Sequence, residues 1–122
     1  MSADLVERLE SAAVGSRDLD LELWPLLTGD EVGRSGQYGP YYVSPDNAYI
    51  YLPAVTTSID AALLLAERAL AGCEWEMIKL DSGCTVHLGD PNMCWDGEAA
   101  TPALALCAAV LRARQPEKGE EG

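Results

Sequence analysis

One histidine and a few side chains that can act as nucleophiles are the residues most suited to catalysis in this chain. His87 is the only histidine, so a catalytic dyad or triad with serine or cysteine would have to use it. The alternation from Cys84 to Leu88 predicts a strand with His87 on its polar face, near Cys84 and Cys94. No serine lies in a G-x-S-x-G motif. We therefore expect a surface or partly packed histidine and no enzymatic activity.

The cysteines and acids do not form a recognisable metal motif. The chain has no C-x-x-C pair, so we expect free thiols that pack as small apolar groups. The cysteines are Cys73, Cys84, Cys94 and Cys107. The alternative is a divalent-cation site with carboxylate ligands, but no D-x-D-x-D-G loop is present and we expect no cofactor. Its ligands would be Asp81, Asp90, Asp96 and Glu98.

Arginines near helix starts offer a second kind of chemistry, the binding of a small anion. Arg17 and Arg34 are isolated basic residues, and helix starts at Ser16, Thr57 and Thr101 would present free N–H groups. A nucleotide-sized pocket would form if two of these starts converged. The alternative is ordinary helix capping and surface arginine.

Acidic residues dominate the charge of the chain. The sequence has 20 acidic residues against 8 lysines and arginines, for a net charge of −12. Such a field repels phosphate backbones, so we expect no direct binding of nucleic acid. It attracts a basic protein surface, including a groove that normally holds nucleic acid. The alternative is a well-solvated acidic protein with no electrostatic partner.

No segment of the sequence suggests a membrane span or an export signal. No run of about 18 apolar residues occurs. The first 15 residues carry four charged side chains and no apolar core of a signal peptide. We therefore expect a cytoplasmic protein that does not bind membranes.

The stretch from Gly97 to Arg114 predicts the central helix. Thr101 can act as the N-cap, and Pro102 suits the first helical position. No residue from Ala103 to Ala109 is charged, which predicts a helix covered by protein on most sides.

Three further helices are predicted. Two short, acidic ones are capped by Ser2 and Ser16, and Pro25 should end or kink the second near Trp24. Residues 28–40, which hold four glycines, predict a loop. The third helix covers Ile59–Leu70 and begins with a capping box at Thr57.

Alternation of apolar and polar residues predicts five strands. Tyr41–Val43 and Ala48–Leu52 form a hairpin, with Tyr49 and Tyr51 on one face. Three more strands form an antiparallel meander, with a bulge or a strand covered on both faces at Met77–Ile78. They are Glu74–Leu80, Cys84–Leu88 and Met93–Trp95.

The predicted order, ααββαβββα, segregates strands from helices and indicates an α+β fold with a mostly antiparallel sheet covered by helices. Residues 1–115 form a single domain at this length. Residues 116–122 predict a disordered acidic tail.

Several segments resemble the phage ABA-sandwich domain family, a group of small bacteriophage and prophage proteins. The similarity lies in LVERLESAAVGSRDLD, TTSIDAALLLAERAL, CEWEMIKL and, most specifically, EAATPALALCAAVLRAR. The resemblance implies a three-layer α-β-α sandwich and a location in the host bacterial cell. It implies no activity or site residues, and the chain departs from the family by an expanded Gly29–Tyr51 region.

These features favour a small acidic phage-type accessory protein that binds a host protein with a basic surface. The target would be a nucleic-acid-handling or defence factor, in the manner of an anti-CRISPR protein. Alternatives are a protein that sequesters a small molecule or nucleotide signal, and a virion or assembly component. Exposed hairpin edges also suggest a homodimer. The expected partner-binding residues are Glu7, Glu10, Asp18, Asp20, Glu22, Asp30, Glu31, Tyr38, Tyr41 and Tyr42.

Overall fold

The computed structural model of the chain describes residues 2–37, 39–70, 74–81, 83–89 and 94–114. Within these residues the helices are α1 (Ser2–Ser11), α2 (Arg17–Thr28), α3 (Ile59–Ala69) and α4 (Pro102–Arg114). The strands are β1 (Glu31–Ser35), β2 (Gly39–Val43), β3 (Tyr49–Tyr51), β4 (Glu74–Leu80), β5 (Gly83–Gly89) and β6 (Cys94–Ala99). The predicted tail lies outside the described residues.

Helix α2 begins where the sequence predicted and ends later. The Ser16 side chain accepts a hydrogen bond from the backbone N–H of Leu19 at 3.2 Å, which confirms the cap. The helix continues through Pro25 to Thr28, so of the two predicted effects of this proline, an end or a kink near Trp24, the end is wrong. Trp24 is fully buried, and burial of this helix face outweighs the one backbone hydrogen bond that proline cannot donate.

Helix α3 begins at Ile59 as predicted and ends at Ala69, one residue before the predicted end, but its cap differs from the prediction. Ser58, and not Thr57, is the N-cap, and its side chain accepts a hydrogen bond from the N–H of Ala61 at 3.3 Å. Ala62, Leu65 and other apolar residues at helical spacing bury one side of the helix. The helix therefore packs on the core through one face only.

The first sheet contains a strand that the sequence did not indicate. Its order is β1-β2-β3, and both pairs are antiparallel. β1 lies inside the predicted 28–40 loop and β2 begins within it, so that prediction is wrong for residues 31–35 and 39–40. Gly33 lies within β1, Gly36 follows it, and Val32 is its one apolar residue, so the local sequence does not favour a strand. Pairing with β2 stabilises the extended conformation.

The second sheet, in the order β4-β5-β6, is the predicted antiparallel meander. In β5 buried residues alternate with partly exposed ones. β4 pairs with β5 without interruption, Met77 opposite Val86 and Ile78 opposite Thr85, so the predicted bulge is wrong. The alternative, a strand covered on both faces, is wrong as well, because every residue of β4 except Met77 is exposed. β6 reaches Ala99, beyond the predicted end at Trp95.

Helix α4 lies at the centre of the core, as predicted. Every residue from Ala103 to Leu111 is buried. The helix packs on β5 and β6 on one side and contacts α1 and α3 elsewhere. Gly97 permits the close approach of α4 to β6, because a Cβ atom at this position would lie 2.1 Å from the carbonyl oxygen of Ala105. Thr101 caps the helix by accepting from the N–H of Leu104 at 3.3 Å.

The α+β class and the antiparallel pairing are confirmed. The strands are divided between two sheets, one next to α2 and the other covered on one face by α4. None of the helices in the described part of the chain has the length and apolar character needed to cross a membrane.

Candidate interaction surfaces

The acids expected to form a docking surface on α1 and α2 bind arginines of the same chain. Arg8 and Glu22 form a two-pronged pair, with both N–O distances at 2.7 Å, which joins α1 to α2. The hydrogen bond from Arg8 lowers the pKa of Glu22 despite partial burial. Glu22 is therefore ionised and is neutralised locally by Arg8.

Glu10 joins α1 to the end of the central helix. Its carboxylate accepts two hydrogen bonds from Arg112, at 2.6 and 2.9 Å. Arg112 also donates to the carbonyl oxygen of Asp96 at 2.6 Å. Burial alone would raise the pKa of Glu10, but the hydrogen bonds from Arg112 and from the backbone of Glu98 lower it.

Asp20 was expected at the surface and is fully buried. Its Oδ1 accepts from the backbone N–H and the hydroxyl of Thr56, at 2.9 and 2.6 Å, and its Oδ2 accepts from Arg17 at 2.6 Å. Arg17 also donates to the carbonyl oxygen of Leu52 at 2.5 Å. Asp20 therefore attaches α2 to residues 52–56, and the expectation that it lies at the surface is wrong.

Asp30 is also used inside the fold. Its side chain is 9% exposed and accepts from the indole N–H of Trp24 at 3.1 Å and from Arg68 at 3.2 Å. The Arg68 guanidinium lies 5.7 Å from the centre of the Trp24 ring, within cation–π range. Asp30 therefore fixes α3 against α2 and offers little surface to a partner.

The remaining predicted acids are more exposed. Asp18 is paired with Arg34 at 2.6 Å, but 81% of its side chain is exposed. Glu7 and Glu31 are exposed. Five of the seven predicted acids thus belong to ion pairs within the described residues, namely Glu10, Asp18, Asp20, Glu22 and Asp30. Whether any of the seven binds a partner stays a prediction.

Tyrosines form the most exposed aromatic surface of the first sheet. Register places Tyr41 beside Tyr51 and Val43 beside Tyr49, so the three tyrosines lie on one face, which we call the tyrosine face. Tyr49 is 73% exposed and Tyr51 is 65% exposed. The rings of Tyr41 and Tyr49 are 5.1 Å apart between centroids.

Gly33 determines where the Tyr41 ring lies. The two residues are directly opposite in β1 and β2. A Cβ atom on Gly33 would lie 2.6 Å from the Tyr41 hydroxyl oxygen, so the ring occupies the space above the glycine. This arrangement, in which an aromatic side chain covers a glycine on the neighbouring strand, orders the tyrosine face.

The three tyrosines among the expected partner-binding residues differ in position. Tyr41 belongs to the tyrosine face, whereas Tyr42 points to the opposite side and lies 4.8 Å from the Trp24 ring between centroids. Tyr38 lies outside the described residues. The more exposed residues, Tyr49 and Tyr51, were not among the expected partner-binding residues, although their spacing of two in a strand had predicted that they share one face.

A concavity of about 620 Å³ adjoins the tyrosine face. Its lining residues are Arg34, Ser35, Tyr41, Tyr49, Ile50 and Tyr51. Arg34 is paired with Asp18 and Arg17 with Asp20, so each predicted anion-binding arginine already binds a carboxylate of this chain. None of the predicted helix starts lines this concavity, which therefore differs from the predicted nucleotide pocket.

The structure places His87 beside Asp96, and the residues opposite it on the neighbouring strands are Glu76 and Asp96. His87 Nδ1 lies 2.6 Å from an Asp96 oxygen, and this hydrogen bond raises the pKa of the exposed imidazole. Register pairs Cys94 with Gly89, so it is not opposite His87. Burial raises the pKa of Cys107, whose thiol donates to the Val55 carbonyl at 3.2 Å.

Metal ligands were also predicted as an alternative. Among the described residues, no group of three or more histidine, cysteine, aspartate or glutamate side chains is placed to hold a metal ion. Of the four predicted ligands, Asp90 lies outside the described residues. Asp96 and Glu98 lie on the solvent-facing side of β6, where Asp96 binds His87.

The fold is similar to that of a phage protein from Bacillus cereus ATCC 14579, known from a 2.0 Å crystal structure. The superposition covers 78% of this chain and 87% of the phage protein, with a TM-score of 0.58 and 18% sequence identity. At this identity the similarity concerns the fold. No family model matches the chain, and no curated protein matches its sequence. Membership of the ABA-sandwich family therefore stays a prediction.

Proposed function

We propose that this chain is a phage-type accessory protein that acts by binding another protein through its tyrosine face. The observation that carries the proposal is the exposure of Tyr49 and Tyr51, at 73% and 65%, on a sheet face beside Tyr41. Tyrosine is enriched where proteins bind one another, since its ring buries a large area while its hydroxyl bonds at the rim. The fold shared with a phage protein supports the phage type.

The proposed partner has a basic surface. The net charge of −12 favours encounter with such a protein. Glu31 lies in the same cross-strand row as Tyr49, and Asp46 is exposed in the turn between β2 and β3. Ser44 donates a hydrogen bond to Asp46 and lowers its pKa, so this carboxylate is ionised at neutral pH. Arginine suits this surface, because it stacks on aromatic rings and pairs with carboxylates.

A host factor that handles nucleic acid is the target that fits this chemistry best. Its groove holds phosphates with arginine and lysine, and carboxylates of this chain would take the place of those phosphates. Inhibition of a defence complex, as by an anti-CRISPR protein, is the specific form of the proposal. Since α1 and α2 use most of their acids internally, the proposal places recognition on the tyrosine face and the adjacent Glu31 and Asp46.

The test is co-purification from host lysate with quantitative mass spectrometry at low and high salt. Wild type should enrich a nucleic-acid-handling protein, and enrichment should fall at high salt. The Tyr49→Ala/Tyr51→Ala variant should lose it. Leu26→Ala is the matched control, because Leu26 is also an exposed apolar residue, at 49%, on α2. Equal capture by wild type and the tyrosine variant would refute the proposal.

Sequestration of a small aromatic ligand is a second candidate, favoured by the concavity of about 620 Å³ beside the tyrosines. Its size is in the range of ligand pockets. A cyclic nucleotide would stack its base on Tyr41 or Tyr49. A rise in the thermal unfolding midpoint with one of a panel of cyclic nucleotides, absent in Tyr49→Ala, would support it. Incorporation into purified virions, in turn, would support the structural-component alternative.

A further inference from the structure

Strand β4 forms an edge of the second sheet and is unusually exposed. It is seven residues long, and all of them except Met77 are exposed. Three of its large apolar side chains are accessible: Trp75 at 43%, Ile78 at 40% and Leu80 at 55%. A long edge strand with exposed apolar side chains is a template on which another strand pairs.

Both faces of the sheet are incompletely covered at this edge. Trp75 is opposite Leu88 and Met77 is opposite Val86, so both lie on the side of the sheet that packs on α4. The main strand contacts of α4 are with β6 and β5. Ile78, opposite Thr85, lies on the other side. An added strand would therefore cover apolar surface on both faces.

We propose that two copies of this chain dimerise by antiparallel pairing of their β4 strands about a twofold axis at Met77. This register uses all seven residues. Glu74 then faces Leu80 of the second copy, Glu76 faces Ile78, and Trp75 faces Lys79. Every charged residue of the strand is opposite an uncharged one, which makes EWEMIKL complementary to its own reversed sequence.

Neighbouring registers are less favourable. An axis at Glu76 would set the two Glu76 side chains directly opposite each other, and an axis at Lys79 would do the same with two lysines. An axis between two residues would bring side chains from opposite faces together and expose the apolar ones. An axis at Ile78 also avoids both penalties, but it pairs only Glu76–Leu80 within the strand. The axis at Met77 avoids them and uses all seven residues.

The dimer joins the β4-β5-β6 sheet of one copy to the same sheet of the second copy, which gives one continuous sheet. Lys79 of each copy lies beside the indole ring of Trp75 in the other, where a cation–π contact forms. The two Glu76 side chains are diagonal neighbours about 7–8 Å apart, a residual repulsion. Because both copies carry a net charge of −12, salt should strengthen this dimer. Salt should weaken the proposed basic partner's binding, so the two associations are distinguishable.

Sedimentation equilibrium of the purified chain over a concentration series tests the proposal. Wild type should dimerise, more tightly at high salt. Trp75→Lys sets lysine opposite Lys79 twice per dimer and should weaken dimerisation by roughly tenfold or more. The exchanged pair Trp75→Lys/Lys79→Trp restores the complementary register and should dimerise like wild type.

The control is Leu64→Lys on α3, which adds a lysine at another exposed apolar residue, 48% accessible, and should leave the dimer unchanged. Far-ultraviolet circular dichroism confirms that each variant is folded. A monomeric wild type would refute the proposal, as would a dimer that Trp75→Lys leaves intact. A folded exchanged pair that remains monomeric would refute the register at Met77.

Discussion

On α1 and α2, arginines from the same chain bind four carboxylates, whereas on the first sheet Tyr49 and Tyr51 extend into solvent. Glu10, Asp20 and Glu22 each hold a second segment of the fold. Tyr49 and Tyr51 are 73% and 65% exposed, and their rings contribute little burial to the core. The difference teaches that a high acidic content does not by itself define a docking surface.

Asp20→Ala should have the largest effect on stability. The substitution leaves the Arg17 guanidinium and two Thr56 donors without their acceptor, and such losses cost about 3–5 kcal/mol of unfolding free energy. Urea unfolding of the variant measures it. Asp18→Ala, two residues earlier and 81% exposed, is the control and should cost about 1 kcal/mol or less. Equal losses in the two variants would contradict the structural role of Asp20.

The tyrosines should divide into two groups when truncated. Tyr42→Ala removes a ring packed on Trp24 and should cost about 2–3 kcal/mol. Tyr49→Ala removes a ring from an exposed position and should change stability by about 0.5 kcal/mol or less. Thermal and urea unfolding of the two variants provide the comparison. A large loss in Tyr49→Ala would mean that the tyrosine face is part of the core.

Gly33→Val should disturb the tyrosine face without unfolding the chain. A Cβ atom at this position would lie 2.6 Å from the Tyr41 hydroxyl oxygen, so the new side chain would displace the ring and should cost about 1–2 kcal/mol. Tyrosine fluorescence and urea unfolding measure the change. Gly36→Val is the control, since no atom lies within 4 Å of a Cβ there. If both variants bind a captured partner as wild type does, the position of Tyr41 is irrelevant to binding.

A small effect is expected for the Arg8–Glu22 pair. A double-mutant cycle with Arg8→Ala and Glu22→Ala should give a coupling of about 0.5 kcal/mol at neutral pH, because both side chains are about half exposed. Since the pKa of Glu22 is lowered in the fold, this stabilisation exists above the unfolded-state pKa and is lost as pH falls through the folded one. The cycle should therefore give no coupling at strongly acidic pH. A coupling that persists there would contradict the ion pair.

His87 has the opposite dependence on pH. Asp96 raises the pKa of His87, so the contribution of this pair to the free energy of unfolding is complete below the unfolded-state pKa. That contribution is lost as pH rises through the folded-state pKa. Asp96→Asn removes the cause and should return the imidazole pKa towards about 6.5, as measured by NMR titration. An unchanged titration would show that Asp96 is not the partner of His87.

Local patterns in the sequence were sufficient for most elements of the fold. The uncharged run from Ala103 predicted a buried α4, and the alternation around Val86 predicted β5. β1 was missed because it contains Gly33 and only one apolar side chain, and its order comes from pairing with β2. Pro25 suggested a helix end because its local cost is visible in sequence, whereas the burial of Trp24 is not.

The site was less predictable because it depends on contacts between distant residues. Asp18 and Asp20 are alike in sequence, yet one is exposed and the other is buried against Thr56, 36 positions away. Nothing local distinguishes them. The face shared by Tyr49 and Tyr51 was predictable from strand periodicity, but their exposure depends on which side of the sheet α2 covers.

The most direct test of the account is to measure the affinity of a captured partner for two variants by titration calorimetry. Tyr49→Ala/Tyr51→Ala alters the tyrosine face, and Glu7→Ala/Asp18→Ala alters the exposed acids of α1 and α2. The account predicts a loss of about 2 kcal/mol or more in binding free energy for the first variant, and a change below about 0.5 kcal/mol for the second. A large loss for the helical acids with full affinity in the tyrosine variant would contradict it.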